Sequence, residues 1–179
     1  MTIQDWGAVG EIVGAIGVIV TLIYLASQIR QNTRQTRNEG HARIADSYNE
    51  ILAQLLADDR LFQIVVLGAQ NWEGLTAFQQ SRFHIFYHQH LNHYRMVRQL
   101  YDKGAIDDDV LQSVEDLHMN VLSNPGTRIW WNIAGNSLVE SNLRDRIDAE
   151  LTAREGTGQA TTEAWDFYDP EKWKVENDA

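Results

Sequence analysis

Residues 7–27, GAVGEIVGAIGVIVTLIYLAS, are twenty-one in number and hold one side chain charged at neutral pH, Glu11. As an α-helix this run is about 31 Å long at 1.5 Å per residue, which matches a hydrocarbon core of about 30 Å. Trp6 stands before it and Tyr24 in its last turn, where amphipathic rings favour the two membrane interfaces. Arg30, Arg34, Arg37 and Arg43 follow at one end, opposed only by Glu39. A basic flank marks the cytoplasmic side, so the run predicts a single span with the N-terminus outside. Two other readings fit less well. A secretory signal carries its positive charge ahead of the apolar stretch, whereas Asp5 precedes this one. A buried core helix is usually shorter and lacks the one-sided basic flank.

Small residues within the run are ordered. Gly7, Gly10, Gly14, Gly17 and Thr21 follow a 3-4-3-4 spacing and share one stripe, with Ile12, Ile16, Ile19 and Ile23 opposite. Such stripes let helix backbones approach closely in lipid, and with one span per chain the partner is a second copy. Glu11 lies beside the stripe, about 9 Å from the midpoint of the span by helical rise. Three roles fit it: reaching the outer headgroups, bonding between packed helices, or joining a ring of carboxylates around a cation path.

The remainder reads as helical. Only Pro125 and Pro170 interrupt it, and there is no cysteine, which removes disulfides, thiolate metal ligands and thiol nucleophiles. From Ile44 onward eleven Lys/Arg face twenty-two Asp/Glu, a net of −11, the wrong sign for a nucleic-acid-binding body. The expected organisation is a transmembrane anchor over 1–27, a basic helical stalk over 28–43 bent at Gly40, a helical bundle over 44–155, and a tail over 156–179. In the bundle the apolar pattern from Ile44 stops near ADDR, and a short helix, RLFQIVVLGAQ, stops at Gly68. A long helix runs from Thr76 to Lys103, with Gly104 suited to a left-handed cap. Its stripe of Phe83, Tyr87, His90, Tyr94, Val97 and Tyr101 reads as a core seam. A further helix breaks at Asn124-Pro125-Gly126, and two more, 127–134 and 138–153, complete a bundle of about five. Trp130 and Trp131 read as packing residues. The tail carries Trp165, Phe167, Tyr168 and Trp173, rings costly to leave in water, and is expected to dock on the domain or on a neighbouring chain.

WGAVGEIVGAIGVIVTLIYLASQIRQNT resembles the N-terminal signature of a family of bacterial membrane proteins of uncharacterised function. LYDKGAIDDDVLQ and NPGTRIWW are similar to later segments of the same family. The resemblance implies a membrane anchor followed by an α-helical domain, and it implies no reaction or catalytic residue; with the basic flank it places the anchor in the bacterial inner membrane and the domain in the cytoplasm.

One constellation suggests chemistry, FHIFYHQHLNHYR, with His84, His88, His90 and His93. His84 and His88 have the i, i+4 spacing of a helical metal pair. His90 and His93 point about 240° and 180° away on the wheel, so the four do not converge on one ion. No phosphate-binding loop or G-x-S-x-G is present. The leading expectation is a non-enzymatic membrane protein with a self-associating anchor and an interaction or sensing bundle, its partners being the bilayer and copies of itself. A homo-oligomeric ion channel with Glu11 near its outer mouth is the second reading. An enzyme with a site between helices near His84 and His88 is the third.

Overall fold

The computed structural model describes residues 3–157. Among them the chain is all-α, six helices and one short 3-10 turn, with no strand. The expected tail aromatics Trp165, Phe167, Tyr168 and Trp173 lie outside the described residues.

Helix α1 (Ile3–Ala57) is a single element of fifty-five residues, about 82 Å long. Its middle holds because Gln and Arg are good helix formers and because the stalk supports itself locally, as where Gln35 Nε2 donates to Glu39 Oε1 at 2.9 Å. The two ends of α1 have opposite surroundings. Ile16, Val18, Ile19, Val20, Leu22 and Ile23 are all exposed, and an 18-residue window beginning in this part is apolar and long enough to cross a membrane, with none of it buried inside the chain. Ile44 and Ile51, by contrast, are buried in the bundle.

Gly40, where a bend is expected, lies inside this one continuous helix and is buried because α1 meets the chain at Ala105 there. A Cβ at this position would stand 2.7 Å from the Ala105 carbonyl oxygen. Gly40→Ala is therefore expected to push α1 off that loop and lower stability by about 1 to 3 kcal/mol; urea unfolding of the full chain in mild detergent measures it.

Helix α2 (Asp59–Gln70) begins where Asp58 accepts from the Leu61 N–H at 3.0 Å, an N-cap that also pairs with Arg82 of α3. That Arg82 bond, then the Leu61 bond, holds the Asp58 carboxyl below its usual range. Gly68 does not stop α2, contrary to expectation. It sits inside the last turn because a Cβ would meet the Phe83 ring and Leu75, so its smallness serves packing. Helix α3 (Ala77–Asp102) opens with a capping box, Thr76 with Gln79. It closes with the Ala105 N–H bonded to the Leu100 carbonyl and Gly104 N–H to Tyr101, a Schellman motif. Gly104 takes φ +69° there, as the left-handed cap requires.

Helices α4 (Asp108–Leu122), α5 (Pro125–Ile133) and α6 (Ser141–Thr157) follow, with the 3-10 turn (Gly135–Leu138) before α6. α5 starts two residues earlier than expected because Pro125 occupies its first turn, where a missing N–H costs nothing. Trp130 and Trp131 are both fully buried, their N–H groups donating to His84 Nδ1 and Asp148 Oδ1.

Two apolar clusters make the core. The larger joins Ile51 of α1 and Leu61, Ile64 and Val65 of α2 with Phe83, Tyr87, Met119, Trp130, Trp131 and Ile147. The smaller joins Ile44 of α1 with Val97, Ile106 and Leu111. On α1, Tyr48 lies between Ile51 of the larger cluster and Ile44 of the smaller, and on α4, Glu115 and His118 lie between Met119 and Leu111.

Candidate functional site: a buried histidine layer

Three helices bring polar side chains together here: Tyr48 from α1, His90, His93 and Tyr94 from α3, and Glu115 and His118 from α4. His90, His93 and His118 are 5 %, 4 % and 1 % exposed, a depth at which unpaired imidazoles are costly. The His118 ring meets those of His90 at 4.4 Å, His93 at 5.1 Å and Tyr94 at 5.1 Å between centroids. Tyr48, half-buried, covers His93 at 5.3 Å and His90 at 6.0 Å.

Hydrogen-bond chemistry assigns the protons. The Ile44 carbonyl only accepts, so His93 Nε2, 3.2 Å away, carries a hydrogen and donates it. In the neutral ring His93 Nδ1 is then the acceptor, and His118 Nε2 donates to it at 2.9 Å. The relay ends at His118 Nδ1, a lone pair with no partner, and His90 has no partner on either nitrogen. Burial depresses all three histidines: His90 to about 3, His118 well below its ordinary value with help from the neighbouring imidazoles, and His93 downward against the opposing Ile44 bond.

Tyr94 connects this layer to a charged group. Its hydroxyl donates to Glu115 Oε1 at 2.8 Å, and burial, followed by that carboxylate, raises the phenol far above its usual range. Arg98 Nη1 meets the same oxygen at 2.9 Å and Arg146 Nη2 meets Oε2 at 3.0 Å. Burial by itself would raise the Glu115 carboxyl, but the bonds from Tyr94, Arg146 and Arg98 outweigh it and hold the group below the carboxylate range. A cleft of about 270 Å³ opens beside this cluster, lined by Tyr94, Gln112, Glu115, Met119, Arg146 and Glu150 among others.

The residues singled out in the sequence are distributed differently. His84 is half-buried, its Nδ1 taken by Trp130, and His88 is exposed with its ring 6.4 Å from that of His84. Among the described residues no group of three or more His, Asp or Glu is placed to hold a metal ion. His90 and His93 do turn away from His84, as the wheel required, and they meet His118 instead. Nothing in the sequence had joined His118 to them. One signal was present: Leu111, Glu115, His118, Met119 and Leu122 share a helical face, so His118 and Glu115 interrupt an otherwise apolar stripe. On α1, Glu11 is exposed, Gly14 and Gly17 have open space around them, and Thr21 Oγ1 donates to the Gly17 carbonyl at 2.9 Å. The surroundings of Gly7 and Gly10 lie outside the described residues.

Comparison with protein-family models, with curated proteins and with solved structures finds no match for the chain.

Proposed function

We propose that the protein is a membrane-anchored helical module whose span associates with copies of itself and whose bundle senses a cytoplasmic condition or binds a partner there. The observation that carries this reading is the division of α1. One continuous helix has an uncovered apolar length between residues 14 and 29 and a core-forming length over its last third. Nine large apolar side chains between Ile16 and Ile29 are 46–65 % exposed, and a continuous apolar surface of that extent calls for lipid or another chain. Arg30 and Arg34, exposed just beyond the run, favour a cytoplasmic bundle. The open faces of Gly14 and Gly17 favour a second helix against them.

The chain's lack of cysteine makes the test direct. Full-length protein is expected to stay with membranes through alkaline carbonate washing. In intact cells a membrane-impermeant maleimide is expected to label Thr2→Cys and to reach Asn38→Cys only after lysis. Release into the wash removes the anchor, and the reverse labelling pattern removes the orientation. Gly14→Leu with Gly17→Leu is expected to reduce the particle mass in detergent to that of one chain; an unchanged mass removes self-association through this stripe.

A further inference from the structure

We propose that the His90–His93–His118 layer is a proton-operated latch that holds α1 against α3 and α4 and releases it on acidification. The hydrogen-bond relay has room for one arrangement of protons, Ile44 C=O receiving from His93 Nε2–H and His93 Nδ1 receiving from His118 Nε2–H. A proton added at His93 Nδ1 finds an acceptor in His118 Nε2 only if His118 moves its own hydrogen to Nδ1, where no group receives it, and the charge stays buried. A proton added at His118 Nδ1 or on His90 is met by no hydrogen-bond partner.

The groups facing the layer offer an added charge no relief. From α1 come the Tyr48 phenol and the Ile44 carbonyl, both uncharged. From α3 come the phenols of Tyr87 and Tyr94. From α4 comes Glu115, whose oxygens already receive Tyr94, Arg98 and, from α6, Arg146. Hydration of an imidazolium therefore requires opening, and α1 is the weaker wall. α4 is fixed to α3 by Met119 and Leu122, each 1 % exposed, and by the Glu115 ion pairs. α1 adds Ile44 and Ile51 on either side of the layer and half-buried Tyr48 within it, but no buried ion pair; its Arg37–Asp107 pair, about three turns away, is exposed, a type of pair worth little.

Once open, each histidine regains an ordinary pKa near 6.5. Below that pH the closed-to-open ratio falls up to about tenfold per unit for each histidine, hence up to about a thousandfold per unit for three. Given the reading of α1 as the anchor, cytoplasmic acid would loosen the bundle from the base of the membrane helix.

The test places nitroxide labels at Ala45→Cys on α1 and Ser113→Cys on α4, both exposed, in the full chain in detergent. A single narrow distance is expected at pH 7.5, with a longer population growing as pH falls from 6.5 to 5. His90→Phe breaks no hydrogen bond and is expected to remove one proton from that dependence, a tenfold shallower response per pH unit. His118→Phe is a second variant; if it does not fold, His90→Phe alone decides. A distance that does not change down to pH 5 overturns the latch, as does an acid response untouched by His90→Phe. A stoichiometric transition metal in the purified chain overturns it too, since the histidines would then be ligands. The measurement needs no bilayer, so its failure leaves the anchor standing, and loss of the anchor in the carbonate test leaves the latch to be judged by the labels.

Discussion

Glu115→Ala is expected to lower the stability of the full chain by about 2 to 3 kcal/mol. The carboxylate is one of the few buried charges, and three donors depend on it: the Tyr94 hydroxyl, Arg98 and Arg146. Removing one member of a buried ion pair commonly costs about 3 to 5 kcal/mol because the other is left uncompensated. The lower figure applies here because the Arg146 side chain is 50 % exposed and water takes over part of its solvation. Arg98 and the fully covered Tyr94 carry most of the loss. Glu115→Gln keeps the shape and one acceptor, so it is expected to cost less. Urea unfolding at neutral pH, followed by circular dichroism, measures both; a loss below about 1 kcal/mol for the alanine variant would show that the cluster contributes nothing beyond a surface pair.

Acidification is expected to have the larger effect. His90, His93 and His118 all have pKa values lowered by folding, so the unfolded chain binds more protons than the native one below pH 6.5. Their neutral packing is therefore fully tolerated above pH 6.5, and stability is lost as pH falls from there toward the native value of about 3 for His90. Each histidine contributes a loss of at most about 1.4 kcal/mol by pH 5.5, reached in full by His90, so the three together lose at most about 4 kcal/mol. Against a typical stability of 5 to 15 kcal/mol this is a large fraction. Glu115 acts in the same direction at lower pH: its carboxyl is depressed by folding, so its contribution is present above the ordinary carboxylate range and lost below it. A thermal midpoint that varies little between pH 7 and 5.5 would show that the histidines are hydrated in the native chain.

Helix ends were the part of the fold most legible in the sequence, because local chemistry sets them. Thr76 and Gly104, expected at the two ends of α3, each satisfy terminal backbone groups, and that requirement involves neighbours a few residues away; Pro125, expected as a break, opens α5 instead. The buried stripe of α3 was legible for a related reason: Phe83, Tyr87, His90, Tyr94 and Val97 repeat at helical spacing, and all five are buried. Gly68 is not the stop its residue type suggests, and Gly40 serves a close packing contact, because a glycine's role depends on what approaches it. Ala105 lies sixty-five residues from Gly40, and Phe83 reaches Gly68 from another helix.

The histidines divide at the same line. Spacing along α3 separated His84 and His88 from His90 and His93, since angles on one helix follow from sequence number. That His118 completes the layer was decided by the hairpin of α3 and α4, which brings residues twenty-five apart to 2.9 Å. The proton positions on His93 and His118 follow from the Ile44 carbonyl of a third helix. By itself, then, the sequence determined the helical class, the apolar length of α1, its charge asymmetry and most helix ends, because each depends on short-range backbone and solvation chemistry. Only the tertiary structure decided which polar groups share the interior, because a buried donor or acceptor takes its partner from whatever helix packs against it.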